Sequence, residues 1–154
     1  MKGTNQKGLG LLLAVAVMAM AAWSTAGAGI KGEQPIPWAQ LAKLDFKTGQ
    51  LPGELEQKLK KGDLRVAGFV VPVEVIDFDN IQEFILVASK FGCCQGPPPM
   101  PNQIIEVRLK KGVPFDKLME TVYLTGKLSI VKTGTGEFGY QLEKGAVFEP
   151  EYDF

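Results

Sequence analysis

The sequence predicts an all-β protein with a few short helices, in which five strands close an antiparallel barrel. Apolar and β-branched residues recur in runs of strand length from Leu64 onward. These runs come in the order of three strands, a short helix and two further strands, and glycines stand inside the long first and fourth strands. This is the order of the OB fold, whose long strands must bend to serve both halves of the barrel. The alternative is an antiparallel β-sandwich, which differs in how the sheet edges close.

The N-terminus has the three-part layout of a secretory signal peptide. Two lysines precede an apolar run from Leu9 to Ala22, and small residues follow as far as Gly29. The small residues predict cleavage after Ala28, with a cut after Ala26 as the alternative. The apolar run is shorter than the roughly 20 residues that a membrane-spanning helix needs. We therefore expect residues 1–28 to be removed and the mature protein to be soluble, in the periplasm or secreted.

The charge and length of the mature chain narrow its function class. The full chain balances 17 Lys and Arg against 17 Asp and Glu, and two of the lysines lie in the predicted signal peptide, which leaves a net charge of about −2. Such a surface does not attract nucleic acid. The chain is long enough for one domain with a substantial core. We divide it into an N-terminal extension (29–63), a barrel domain (64–148) and an acidic tail (149–154).

Two short segments precede the barrel. Residues 34–38 are too rich in proline for regular structure, and Trp38 with the leucines that follow it is expected to cover one end of the core. Pro52 to Lys61 predicts a short amphipathic helix, because Pro52 suits the first helical position and Gly62 stands just past the end.

The barrel strands are predicted from their apolar patterns and lengths. They cover 64–73, 83–89, 103–110, 120–131 and 138–142, and the last one can continue to 148. Gly68 lies inside its strand and predicts a bulge or bend, and Gly126 predicts a bend, whereas Pro72 predicts a strand end or an edge strand. Residues 114–119 predict a helical turn or two, and a glycine-rich hairpin turn is expected at 134–136.

Four aromatic residues are predicted to belong to the core. They are Phe69, Phe84, Phe91 and Tyr123. A core position leaves none of them available as a stacking platform for single-stranded nucleic acid, although OB barrels often bind it.

The connection between the second and third strands holds the candidate site. It contains the only two cysteines of the chain and a run of prolines, which stiffens the backbone and prepares it for a binding partner. The predicted site residues are Cys93, Cys94, Gln95, Gly96, Pro97, Pro98, Pro99, Met100, Pro101 and Asn102. The side chain of Asn102 is expected to hold the loop to the barrel. In the alternative interpretation, the prolines only cross one end of the barrel and pack against Trp38 or Phe91.

Adjacent cysteines in an exported protein leave several interpretations open. Two thiolates bind copper(I) or contribute to a zinc site, and Met100 offers copper a thioether. A vicinal Cys93–Cys94 disulfide is strained and easily reduced, which suits a redox protein. Both cysteines can also be small buried residues in a tight turn. The chain has no histidine, which removes the commonest further metal ligand and the usual base for a catalytic thiol, so we do not expect an enzyme.

Several segments together resemble domain-of-unknown-function family 3299, a family of exported bacterial proteins. The segments are Gly68 to Pro72, Glu83 to Val87, Cys93 to Pro99, Asn102 to Ile105 and Leu124 to Leu128. Many members have a histidine at the position of Gln95, and this chain is similar to the branch with paired cysteines. The resemblance implies an OB-like fold, no established activity, and gene neighbourhoods with ATP-driven transporter components linked to metal supply.

These observations favour an exported binding protein. We expect it to assist an envelope transporter of the ABC type, or the handling of zinc or copper, through the loop that begins at Cys93. The partner would then be a membrane transporter or another envelope protein. The alternatives are a thiol–disulfide redox protein and a structural module whose prolines dock a membrane partner.

Overall fold

Five long strands account for most of the chain, and two short helices precede them. The computed structural model describes residues 29–30, 33–73, 77–90, 97–149 and 152–153. The strands are β1 (Gly29–Ile30), β2 (Asp63–Pro72), β3 (Ile81–Val87), β4 (Ile104–Val113), β5 (Val122–Lys132), β6 (Phe138–Phe148) and β7 (Tyr152–Asp153). The helices are α1 (Trp38–Leu41) and α2 (Gly53–Lys60), and single turns of 3-10 helix cover Pro101–Gln103 and Phe115–Leu118. Within these described ranges, no helix has both the length and the apolar character that crossing a membrane requires.

Strands β2 to β6 form a closed barrel in the order β2-β3-β4-β6-β5. The barrel of OB type is therefore confirmed, and the β-sandwich is excluded because β2 pairs with both β3 and β5. The strands are not all antiparallel, since β6 runs parallel to β4. Strand β5 runs opposite to β4, and the hairpin after β5 reverses the chain direction again. Strand β6 therefore runs in the direction of β4 when it lies between β4 and β5.

Strand β2 changes its pairing partner at Gly68, where a bulge or bend was predicted. The strand pairs with β5 up to Gly68 and with β3 from Phe69 onward. A Cβ atom at Gly68 would lie 2.5 Å from the carbonyl oxygen of Val87, which is closer than any side chain tolerates. Gly126 marks a second irregularity, because the β5–β6 register shifts between Thr125 and Lys127. The two glycines thus lie where a strand changes its pairing partner or its register.

The interior of the barrel follows the predicted alternation. On β4, Ile105, Val107 and Leu109 are buried while the residues between them are exposed. The strand is longer than predicted, since it passes through Gly112 and ends at Val113, where it pairs with Ile81. The predicted end at residue 110 was wrong, because the last residues of β4 are held by pairing with a strand residue that is distant in the sequence.

The N-terminal segment closes an opening in the barrel wall. The β2–β3 pairing extends only down to Phe69, so the lower part of β2 lacks a neighbouring strand on that side within the described residues. The backbone N–H of Ile36 donates to the carbonyl oxygen of Arg65 (2.8 Å), and the indole Nε1 of Trp38 donates to that of Ala67 (2.7 Å). These two contacts give the carbonyl oxygens of β2 the hydrogen bonds that a neighbouring strand would otherwise provide.

The short helices depart slightly from expectation. A helical turn begins at Trp38, directly after the proline-rich residues, and it buries Leu41 completely. Pro52 caps α2 and does not occupy its first helical position. The helix places Leu55 in the core and leaves Leu59 partly buried against it, as expected for an amphipathic helix.

The aromatic residues divide between the core and the surface. Phe84 is buried, which confirms the prediction. Phe69 and Tyr123 are half-buried on the outer face, and their assignment to the core was wrong. Tyr123 lies between Val122 and Leu124, whose side chains are buried, so strand alternation turns Tyr123 outward. Phe91 lies outside the described residues.

Candidate functional site

The predicted site lies in the connection between β3 and β4, of which both stems are described. The first stem is 88–90 and the second is 97–103. Residues 91–96 lie outside the described residues, and they include Cys93, Cys94, Gln95 and Gly96. The geometry of the site is therefore that of the two stems and of the surface between them.

The first stem is held to the outer face of the barrel by Lys90. Its ammonium group lies 3.2 Å from a carboxylate oxygen of Glu120 and 5.4 Å from the ring centre of Phe69. Both contacts are exposed, and each contributes at most about 1 kcal/mol. They orient the stem without burying it.

The second stem is held more firmly, by Asn102. Its side-chain Nδ2 donates to the carbonyl oxygens of Ala42 (2.9 Å) and Leu44 (3.0 Å). The 3-10 turn around it is closed by Gln103, whose N–H donates to the Met100 carbonyl (2.8 Å) and whose side-chain oxygen accepts from the Met100 N–H (3.0 Å). Asn102 therefore ties the loop to the end of α1 and not to a barrel strand.

An apolar cavity of about 340 Å³ lies between α1 and the two stems. Its lining comes from α1, from the end of β3 and from both stems: Trp38, Ala39, Ala42, Val87, Ala88, Ser89 and Gln103. The volume falls within the range of small-ligand pockets, roughly 300–1,000 Å³. The Trp38 indole is a fixed wall because its N–H is bonded to Ala67. The small side chains of Ala39 and Ala42 leave the space open.

The remaining predicted site residues lie on the surface of the second stem. Pro97 and Pro98 are exposed, whereas Pro99 and Pro101 are half-buried. The side chain of Met100 is 45% exposed, so its thioether is open to a ligand. Among the described residues, no three His, Cys, Asp or Glu side chains are grouped for a metal ion.

The floor beneath α1 contains a buried tyrosine. The hydroxyl of Tyr140 on β6 donates to the carbonyl oxygen of Leu41 (2.8 Å). Burial raises the pKa of Tyr140 well above its ordinary value, because the phenolate would lose its hydration. A neutral phenol therefore anchors the end of α1.

Comparison with known proteins identifies the family. Residues 37–149 match the family model described as "Protein of unknown function (DUF3299)". The chain belongs to the DUF3299 family. The resemblance inferred from the sequence is thus confirmed, and the match includes α1, the cavity and the whole cysteine loop. No curated protein gave a significant match.

A solved structure supports the same fold. The crystal structure of a DUF3299 family protein from Pseudomonas aeruginosa PAO1, at 2.45 Å resolution, superposes with a TM-score of 0.51 and 23% sequence identity. The similarity covers 78% of this chain and 99% of that one. At this identity, the likeness to that DUF3299 protein concerns the fold alone.

Sequence reasoning missed the part that α1 plays in the site. Trp38 packs half-buried against the core, as expected, and it also lines the cavity, which was not expected. The spacing of Ala39 and Ala42, three residues apart on one helical face, is the signal that the sequence carried. Nothing in the local sequence indicates that this face lies beside the connection between β3 and β4. Asn102 in that connection contacts Ala42, which lies 60 residues earlier in the chain.

Proposed function

We propose that this DUF3299 protein is an exported binding protein of the bacterial envelope, and that its ligand-contacting element is the loop bearing Cys93 and Cys94. The proposal includes removal of residues 1–28 and a periplasmic or secreted location. The ligand is a soft metal ion, copper(I) or zinc, and the protein serves a transporter or another metal-handling component of the envelope.

The observation that supports this best is the construction of the loop stems. Asn102 fixes one stem through two hydrogen bonds, and Lys90 orients the other. A segment of fixed ends and restricted proline backbone loses less conformational entropy when it binds. The two thiols lie between these stems in the sequence, and thiolates are soft donors for copper(I) or zinc.

Met100 allows the two candidate metals to be distinguished. A thioether is a ligand for copper(I), whereas zinc takes thiolates, imidazoles and carboxylates. The exposed side chain of Met100 lies six residues after Cys94, on the stem that Asn102 fixes. It is therefore a candidate third donor for copper(I).

The experiment is intact mass spectrometry of the mature protein, purified from its native compartment without reductant. Native and denaturing spectra are compared before and after thiol alkylation. We expect two alkylatable thiols and a metal ion that is present only in the native spectrum. The double variant Cys93→Ser/Cys94→Ser should fold and bind no metal. A mass lower by two hydrogen atoms and no alkylation would instead establish the vicinal disulfide of a redox protein.

Matched methionine variants test the donor set. Met100→Leu should weaken copper(I) binding in competition with a chelator and leave zinc binding unchanged. Met119→Leu is the control, because Met119 is also exposed but lies on the connection between β4 and β5. Equal copper(I) affinities of the two variants would remove Met100 from the site.

The apolar cavity favours a second candidate, a module that docks a partner protein. Its walls of Trp38, Ala42 and Val87 suit an apolar side chain rather than an ion. In this case Ala42→Leu, which fills the cavity, should abolish crosslinking to the partner. The double serine variant should then crosslink as well as the wild type.

A further inference from the structure

The barrel wall is complete along only part of β6. Strand β6 pairs with β4 as far as Gly145, which lies opposite Leu109. The next residues, Ala146, Val147 and Phe148, pair with β5 on one side. On their other side, no strand in the described part of the chain pairs with them. We name residues 146–148 the β6 edge. Its main-chain groups on that side are of the kind to which a further strand pairs.

An irregularity in β6 coincides with the start of this edge. The register of β6 shifts against β4 and also against β5, and both shifts fall between Leu142 and Ala146. Lys144 lies in this stretch with a φ of 53°, and among the described residues it is the only one other than glycine with a positive φ. This backbone conformation is unfavourable for a long side chain. Bulges at the rims of barrels commonly end a pairing. The separation of β6 from β4 is therefore built into the strand.

A cleft of about 490 Å³ lies beside the β6 edge. Val113 at the end of β4 lines it, and so do Val147 and Phe148 of the β6 edge. The ring of Phe148 is held by the Arg65 guanidinium, 4.8 Å from the ring centre, and by the ring of Tyr123, with 5.9 Å between the two centres. The volume falls within the range of ligand pockets, roughly 300–1,000 Å³. A free strand edge and a prepared apolar space thus lie side by side.

The charges at the cleft favour a neutral occupant. Two charged residues line the cleft, Lys117 and Glu149, and both are exposed. Because their charges are opposite, the pair attracts neither acidic nor basic groups as a class.

An extended polypeptide is the occupant that uses both the edge and the cleft. Its main chain pairs with the β6 edge while alternate side chains point into the cleft, as in β-augmentation. A small apolar molecule would fill the cleft without using the main-chain groups. Strand β6 of a second copy is too broad to enter between β4 and β6, because it is itself paired with β5. The occupant must therefore be a segment without strand neighbours of its own.

We propose that the β6 edge adds an extended, uncharged segment of a partner protein as a further strand, and that the cleft takes one of its apolar side chains. The edge is short, so the side chain in the cleft supplies much of the affinity. The proposal does not involve the connection between β3 and β4, and it stands or fails independently of metal binding.

The probe is a synthetic hexapeptide of alternating valine and threonine, blocked at both ends, and its binding is followed by NMR of the labelled protein. Hydrogen exchange should slow at amides of the β6 edge, and the chemical shifts of Val113 should change. Two further peptides carry N-methyl groups on all valines or on all threonines. In one of them the methyl groups replace the N–H groups that face β6, and that peptide should not bind. Equal binding of all three peptides would overturn the proposal, because filling the cleft alone does not require N–H groups.

Matched threonine variants test the cleft. Thr121→Trp fills the cleft from an exposed position in its lining. It should weaken peptide binding at least about tenfold, because one buried apolar side chain contributes more than a factor of ten. Thr135→Trp is the control, since Thr135 is exposed in the turn between β5 and β6, and it should bind as the wild type does. Equal affinities of the two variants would overturn the proposal. So would shifts confined to Trp38 and Ala42, or no binding of any peptide at about 1 mM.

Discussion

Gly68 is the residue at which β2 exchanges one neighbouring strand for another. Its backbone passes so close to β3 that the carbonyl of Val87 occupies the place of a side chain. The indole of Trp38 approaches the same point from the N-terminal segment, 3.2 Å from where a Cβ would lie. Glycine is required here by space and not by an unusual backbone angle.

Gly68→Ala should therefore lower the free energy of unfolding by about 1–3 kcal/mol, since the barrel wall must move to admit a methyl group. Urea unfolding followed by circular dichroism measures the effect. Gly134→Ala is the control, because a Cβ at Gly134 meets no atom within 4 Å, and its effect should stay within about 0.5 kcal/mol. Equal effects of the two substitutions would contradict the role of Gly68.

Asn102 is the residue that connects the cysteine loop to α1. Asn102→Ala removes both donors to Ala42 and Leu44, and should lower the free energy of unfolding by about 1–2 kcal/mol. Asn102→Asp should lower it further, because a carboxylate cannot donate and would face two carbonyl oxygens. Thermal unfolding of the three proteins gives the order. A stability of Asn102→Asp equal to that of the wild type would show that the two hydrogen bonds contribute nothing.

At the scale of elements, the sequence correctly predicted those features of a strand that depend on residues close together in the chain. The alternation of Ile105, Val107 and Leu109 is complete within one strand, so β4 was found correctly. The length of β4 and the pairing of β6 with it depend on residues far apart, and no local pattern reports them. The same holds for α1, which forms a wall of the candidate site only because Asn102 and Tyr140 bind its carbonyl oxygens.

The contact between β6 and α1 predicts a pH dependence. The folded state raises the pKa of Tyr140 above the ordinary 10.0, so it holds the phenolic proton more tightly than the unfolded state does. The stabilisation is complete below pH 10 and is lost as the pH rises further. Tyr140→Phe should be less stable than the wild type by about 1 kcal/mol at neutral pH, because Leu41 loses its donor.

The measurement is urea unfolding of both proteins between about pH 8 and pH 11. Contributions that the two proteins share cancel in the difference between them. The advantage of the wild type should shrink above pH 10. A difference that stays constant over the whole range would mean that Tyr140 titrates normally.

For the whole molecule, the N-terminal segment and the barrel share one core. Leu41, Leu44 and Leu55 from the segment belong to the same buried cluster as the strand residues. The predicted division at residues 63 and 64 thus falls between two parts that bury each other's apolar surface. Proteins organised around one core unfold in a single step.

Urea unfolding should therefore give one transition by every probe. The fluorescence of Trp38 reports the N-terminal segment, and far-ultraviolet circular dichroism reports mainly the strands. We expect the two midpoints to coincide, with Trp38→Phe identifying the contribution of this indole. Separate midpoints would mean that the segment unfolds independently of the barrel.

The position of β6 has a consequence for how the chain matures. It is the last strand of the barrel to be synthesised, yet it lies between β4 and β5. Until it arrives, those two strands have no common neighbour, and Leu41 lacks a partner that lies 99 residues later in the chain. Loop closure over such distances is slow. The barrel consequently cannot close before β6 has been synthesised.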